Sequence, residues 1–208
     1  MIYLYIDTSS DYLYTALSND NALFCEKKIK LETNLSKDAL FEITKMFEEV
    51  NISKDSVDKI IVCNGPGSFT GTRIGITIAK VWAWSKKVPI TTTNSLLGMA
   101  LSSSKKCIHV PLIDARRDHV YAAIYDSEYQ EILKPSHILL TELMDKLSKL
   151  SDYEFISNDE FEDLEINLYN PDLFKIIEFT KNNKEINPHA VNPEYLKLTA
   201  AEEKKLND

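Results

Sequence analysis

The 208-residue sequence predicts an α/β protein of two similarly built halves, each a mixed sheet flanked by helices. Three observations lead there. First, Ile6-Asp7-Thr8-Ser9-Ser10-Asp11 returns as Ile113-Asp114-Ala115-Arg116-Arg117-Asp118, and at the same offset of 107 Tyr14 matches Tyr121 and Ala16 matches Ala123. Second, each copy reads strand, acidic turn, strand, turn, strand. An offset of half the chain excludes a solenoid, whose period is about 20–50 residues. Third, the first three strands are followed by alternating helical and strand patterns. A meander that continues as α-β-α-β-α implies a mixed sheet with helices on both faces.

The elements follow in order. Strands are expected near 2–7, 12–18 and 22–30, and in the second copy near 107–114, 119–126 and 129–135. Ser36 is the expected cap of a first helix, with Leu35 and Leu40 at the spacing of a hydrophobic staple. Leu40, Ile43, Phe47 and Val50 then recur at helical spacing, with Ala39 and Met46 widening the stripe and Asn51 ending it. Residues 58–63 read as a short buried strand and 68–86 as a second helix. Pro89 opens another strand, and 93–101 reads as a third helix. The second half is poorer in helix, with 141–149 and 171–181 helical and a strand around 153–156. The expected division is an N-terminal lobe over 1–105 and a smaller C-terminal lobe over 106–208. The tail carries two prolines and a charged run, so its last six or so residues are expected to fray.

Composition excludes some functions. A net charge of −8 and a pI near 5.1 argue against a self-sufficient nucleic-acid binder, which needs a basic stripe to displace counterions. They leave open a role beside RNA in a complex. The N-terminal MIYLYIDTSSD lacks the basic region and small-residue cleavage site of a signal peptide. No apolar run approaches the roughly 20 residues of a membrane span. The expectation is a cytosolic protein without membrane contact. Cys25, Cys63 and Cys107 have no CxxC spacing and read as buried, reduced thiols. His109, His119, His137 and His189 are scattered, no two at i, i+4 spacing, so no metal site is expected.

Four of the five glycines fall within eleven residues, in Gly65-Pro66-Gly67-Ser68-Phe69-Thr70-Gly71-Thr72-Arg73-Ile74-Gly75. Gly65 and Gly67 suit a sharp strand-to-helix turn. A phosphate cradle is poorly supported, because there is no GK[ST] and the spacing misses the dinucleotide fingerprint by one residue. Gly71, Gly75, Ala79 and Ala83 form a stripe of small residues along the second helix, with Ile74, Ile78 and Trp82 on the neighbouring face. That stripe lies against its own sheet or first helix, or meets a partner's helix; spacing leaves both readings open. The only arginines, Arg73, Arg116 and Arg117, stand against 21 lysines, a bias that points to forked hydrogen bonding to carboxylates or to a ligand. Asp7 and Asp114 suit either acid–base work across a cleft or acceptance of N–H bonds in their own turns. No catalytic set of nucleophile, base and orienting group can be assembled.

GPGSFTGTRIG, with IDTSS at the N-terminus, LIDARRDHVY at the centre and NPEYLKL near the C-terminus, resembles the TsaB (YeaZ) family over the whole chain. The resemblance implies the actin/Hsp70/sugar-kinase (ASKHA) fold, with two duplicated lobes. It implies a non-catalytic paralogue of TsaD, pairing with TsaD to make threonylcarbamoyladenosine beside the anticodon of bacterial tRNAs. A TsaE-like ATPase joins that complex, tRNA is met only through it, and TsaC makes the threonylcarbamoyl-adenylate donor. The resemblance places the TsaD contact, and a competing homodimer contact, on the first two helices. The expected interface residues are Leu40, Ile43, Phe47, Gly71, Arg73, Gly75, Ile78, Ala79, Trp82 and Ala83. The catalytic relatives' HxxxH is missing from the first helix, which reads ETNLSKDALFEI, so neither metal nor other cofactor is implied. Working ATPases of the fold place glycine in the turn after each lobe's first strand. Here those turns read Asp7-Thr8-Ser9-Ser10 and Asp114-Ala115-Arg116-Arg117. Asp7, Thr8, Ser9 and Arg116 are at most residual contacts for an anion or nucleotide. The expected function is a scaffold that binds and orders TsaD. The alternatives are an ATP-dependent small-molecule kinase or ATPase of the same fold and, least favoured, a self-sufficient RNA-binding module.

Overall fold

The structure is a computed structural model, and it describes residues 1–31 and 34–197. The charged end of the tail, where fraying was expected, lies outside the described residues, as do Glu32 and Thr33. The chain divides into two compact units. One comprises Met1–Ser104 with Asn170–Pro193, the other Lys105–Tyr169 with the described residues from Glu194. The segment 170–193, which the sequence reading placed in the C-terminal lobe, thus packs with the first unit.

The first unit holds β1 (Tyr3–Asp7), β2 (Tyr12–Ser18), β3 (Leu23–Lys30), β4 (Lys59–Cys63) and β5 (Ile90–Thr93) in the order β3-β2-β1-β4-β5. The meander β1-β2-β3 is antiparallel, and β1, β4 and β5 run parallel. The central strands β1 and β4 are buried at every position, as strands covered on both faces must be. The edge strand β3 alternates half-buried with exposed residues and carries three lysines, which discourage further pairing.

Helices α1 (Leu35–Glu49) and α2 (Phe69–Lys86) pack on one another and on this sheet. Leu4 and Ile6 join their core, with Ile43, Phe47, Ala79 and Ala83. Tyr3 and Tyr5, alternating with those residues, face the other way, and Lys181 lies 5.8 Å from the Tyr3 ring. On that side α5 (Leu173–Thr180) contacts β1, β2, β5 and α3 (Ser95–Leu101).

Two details of α1 differ from expectation. The helix begins at Leu35 after Asn34, so Ser36 is not its cap, and Asn34 makes no side-chain capping bond. The buried face is Ala39, Ile43, Met46 and Phe47, while Leu40 is 48% exposed. Each residue advances about 100° around the helix, which puts Leu40 at the margin of a stripe centred on Ala39 and Ile43.

The second unit repeats the plan. Its strands β6 (Ile108–Asp114), β7 (His119–Tyr125), β8 (Glu131–Leu139), β9 (Tyr153–Ser157) and β10 (Ile166–Leu168) are ordered β8-β7-β6-β9-β10, with the same antiparallel and parallel pairs. The duplication extends to hydrogen bonds. Asp7 Oδ1 accepts from the Ser9 N–H at 2.7 Å, and Asp114 Oδ1 from the Arg116 N–H at 2.8 Å. Each aspartate serves its own turn. The hairpins diverge beyond that point. Asp7 pairs with Tyr14, but Tyr121 pairs with Ile113, one residue earlier, across three consecutive left-handed residues, Arg116, Arg117 and Asp118.

Strand β8 runs beyond the expected end because Pro135 sits where the β7–β8 register shifts, on an edge strand that tolerates a missing N–H. α4 (Leu140–Leu147) is the counterpart of α1. No helix occupies residues 158–165, where α2 would have its counterpart. Of the three thiols, only Cys63 is buried; Cys25 and Cys107 are half-buried, which corrects the expectation for those two.

Candidate functional site

The glycine-rich segment links β4 to α2 and is shaped by the chain leaving β1. Gly65 and Gly67 have φ of 98° and 152°, and a Cβ on Gly67 would lie 2.1 Å from the Ser9 carbonyl oxygen. The Ser68 N–H donates to Ser9 O at 2.7 Å. The Ser68 Oγ caps α2 by accepting from the Gly71 N–H at 3.2 Å. The Thr8 hydroxyl donates to Gly71 O at 2.7 Å, and a Cβ on Gly71 would stand 2.0 Å from Thr8 O. Glycine is required here so that the start of α2 can rest on the backbone of Thr8 and Ser9.

This arrangement removes the expected anion contacts. Asp7, Thr8 and Ser9 are buried and bonded within the protein. Burial pushes the Asp7 carboxyl above its ordinary range, against the hydrogen bonds from Ser9. Burial, followed by the Asp7 charge, pushes the Cys63 thiol well up. Cys63 Sγ lies 3.7 Å from Ser9 Oγ, so this cluster reads as closed core. Arg116 belongs to the second unit and is exposed in its turn.

The small-residue stripe is resolved in favour of core packing. Gly71, Gly75, Ala79 and Ala83 are buried on the side of α2 that faces β1 and β4. Ile43 and Phe47 of α1 are buried in the same core. Those six residues are buried in the first unit and therefore offer a partner no surface, contrary to the sequence expectation. Ile78 and Trp82 are half-buried beside them, with Trp82 stacked on Phe47 at 5.3 Å between ring centroids.

The exposed face of these helices carries other residues. Phe69, Arg73, Thr77, Val81 and Trp84 follow at three- or four-residue steps, starting two residues before Gly71 and so on the opposite side of α2. Phe69 and Val81 are each 60% exposed and Trp84 64%. The Arg73 guanidinium lies 3.7 Å from the Phe69 ring centroid. On α1, Phe41 joins Leu40 at the surface. Five of the eleven exposed large apolar side chains among the described residues thus sit on α1 and α2. Leu40 and Arg73 belong to the expected set. Phe41, Phe69, Val81 and Trp84 were missed, although the spacing of 69, 73, 77 and 81 is as legible as that of the small residues.

The model for the family described as TsaD, tRNA N6-adenosine threonylcarbamoyltransferase, matches residues 31–185. The TsaB of Bacillus subtilis (strain 168), described as a tRNA threonylcarbamoyladenosine biosynthesis protein, is 28% identical across 98% of this chain and 97% of its own length. The Escherichia coli (strain K12) TsaB is 29% identical across 70% of this chain and 67% of its own. The crystal structure of a Pseudomonas aeruginosa protein with similarity to peptidase YeaZ superposes with a TM-score of 0.78 at 19% identity, covering 94% of this chain and 99% of that one. The YeaZ structure from the same organism gives 0.73 at 19% identity, with the same coverage.

The chain belongs to the TsaD family, in its TsaB (YeaZ) branch. It therefore has the duplicated α/β fold of the YeaZ structures. GPGSFTGTRIG, the segment that carries most of the TsaB resemblance, has a packing role here: its glycines seat α2 against Thr8 and Ser9. No helix among the described residues is long and apolar enough to cross a membrane.

Proposed function

We propose that the chain is a non-catalytic subunit in the synthesis of threonylcarbamoyladenosine on tRNA, and that it docks a TsaD-like catalytic paralogue on the exposed face of α1 and α2. The observation that carries this reading is the apolar row Phe69, Val81 and Trp84 opposite the buried side of α2, with Arg73 set among it. Aromatic residues and arginine are the side chains that supply most interface energy when desolvated. Covering this face orders the partner's nucleotide cleft, and a TsaE-like ATPase binds the resulting pair. The same face pairs two copies of the chain when TsaD is absent. With a net charge of −8, the chain meets tRNA through the complex.

The ATPase alternative needs open amides in the turn after β1, where Thr8 and Ser9 are instead buried against α2. Paired-carboxylate chemistry is disfavoured too, since Asp7 and Asp114 each accept an N–H of their own turn.

The test is co-elution of the chain with its cognate TsaD, the mass read by light scattering. A one-to-one species is expected from the wild type, and at least tenfold weaker association from Trp84→Arg. Separate elution of the wild-type proteins, with and without nucleotide, refutes the docking role. Undiminished binding by a folded Trp84→Arg and by Phe69→Ser moves the contact to another face.

A further inference from the structure

The second unit carries a side-chain cluster that the docking function leaves unused. Cys107 immediately precedes β6 and His109 lies two residues on, so the period of a strand turns both to one face. Glu154 is the register partner of His109 in the parallel pair of β6 with β9. Its Oε1 stands 3.0 Å from His109 Nδ1. One donor atom from each of the three side chains lies within 4.8 Å of the other two. His109 is wholly buried and Glu154 nearly so, while Cys107 is half-buried and supplies the access to solvent.

Packing alone does not explain this group. It holds a carboxylate, an imidazole and a thiol at the margin of an apolar core. The buried His109 Nε2 has no hydrogen-bond partner among the described residues. The ring is held flat against Tyr129, with centroids 5.3 Å apart and planes 10° from parallel. Lys105 Nζ lies 3.0 Å from Glu154 Oε2, the oxygen turned away from the histidine. That contact fixes the carboxylate so that Oε1 faces the imidazole, the way outer partners orient metal ligands.

We propose that Cys107, His109 and Glu154 form a binding site for a zinc-class divalent cation, through thiolate, ring nitrogen and carboxylate oxygen, with water in the fourth position. A tetrahedral ion at ordinary Zn–S, Zn–N and Zn–O lengths separates its donors by roughly 3.3–3.6 Å. The cluster reaches that geometry by closing its widest gap by about an ångström, a movement open to a cysteine outside the strand. The mixed sulfur, nitrogen and oxygen set selects Zn²⁺ or Co²⁺ over Mg²⁺ and Ca²⁺, which take oxygen ligands. Binding sends the thiol proton to solvent, leaves His109 a neutral ligand with its one proton on the ring nitrogen that does not hold the ion, and ties the start of β6 to β9.

Histidine pairs at helical spacing do not mark this site. Its signal is Cys-x-His at strand spacing, and its third member comes from the neighbouring strand.

The test uses the full chain, stripped with chelator and dialysed, and titrated first with Co²⁺ and then with Zn²⁺. One equivalent of Co²⁺ is expected to raise the near-ultraviolet thiolate-to-cobalt band, and Zn²⁺ to abolish it while Mg²⁺ does not. Cys107→Ser is expected to lose the band and weaken Zn²⁺ binding about thirtyfold. Glu154→Gln should keep the band and weaken binding about tenfold. Cys25→Ser should change neither. Folding of each variant is checked by circular dichroism. No band in the folded wild type, a band that survives Cys107→Ser, a band lost in Cys25→Ser, or unchanged affinity in Glu154→Gln overturns the site.

Discussion

Gly71→Ala places a methyl carbon 2.0 Å from the Thr8 carbonyl oxygen, where ordinary contact begins at 3.4 Å. Both sides of the clash are backbone, so no rotamer change relieves it. The first turn of α2 or the chain leaving β1 must shift by more than an ångström. That shift breaks the Thr8 hydroxyl bond to Gly71 O and the Ser68 N–H bond to Ser9 O, each 2.7 Å long. Two bonds at about 1 kcal/mol each and an overpacking cost of about 2 kcal/mol oppose alanine's helix preference of about 1 kcal/mol. The expected net loss is about 3 kcal/mol. Gly75→Ala is the control. Its Cβ would meet the Thr8 Oγ1 at 2.5 Å, and a side-chain rotation clears that contact. Losing one hydrogen bond at about 1 kcal/mol is then offset by a similar helix gain. Urea unfolding followed by tryptophan fluorescence reads the first unit, because Trp82 and Trp84 are the chain's only tryptophans and both lie on α2. Unfolding free energies that differ by less than about 0.5 kcal/mol between the two variants would refute the claim that α2 rests on the Thr8 backbone.

Ala79→Arg buries a guanidinium in the first unit's core and should unfold that unit without denaturant, seen as a red-shifted tryptophan emission; it is a test of the core and not of docking. Phe69→Ser should change stability by about 1 kcal/mol or less, because the ring is 60% exposed and its stacking under Arg73 is a surface contact, while abolishing co-elution with TsaD. Asp7→Asn keeps the Oδ1 acceptor for the Ser9 N–H. In the wild type, burial raises the folded-state pKa of Asp7, so the folded state holds the proton more tightly. Stability is greatest below the usual carboxylate pKa and falls as pH rises towards the folded value, by at most about 1.4 kcal/mol per unit. Urea midpoints between about pH 4 and 7 should lose that slope in Asp7→Asn, and an unchanged slope assigns it to another group.

Most of the fold was legible because its signals are local or periodic. The repeat at Asp7 and Asp114 reported a real duplication, down to the aspartate that closes each turn. The misses have physical causes. Pro135 reads as the end of a strand, yet an edge strand at a register break accommodates it. β10 has only three residues, Ile166–Leu168, with two of them exposed, and leaves almost no pattern. The face of α2 was undecidable from spacing, since a small-residue row serves a partner's helix as well as a nearby strand. Only the approach of Thr8 and Ser9, some sixty residues earlier in the chain, decides it.

The two units share strand order but not the element between their last two strands, and that difference explains where the candidate docking face lies. In the first unit, α2 fills the 4–5 connection. It can sit close on the sheet because Gly67 and Gly71 accept the backbone that follows β1. In the second unit, the corresponding connection, residues 158–165, has no helix, and Asp159 reaches back to accept the Asp114 N–H at 2.7 Å. A carboxylate there meets the end of β6, where the first unit brings a helix to the end of β1. Once α2 is seated by its small residues, its opposite side must face outward, and that side carries Phe69, Val81 and Trp84 in place of the usual charges. Glycines within and apolar residues without are thus two requirements on one helix: the first sets how closely α2 lies on its own sheet, and the second supplies the exposed face proposed to meet another chain.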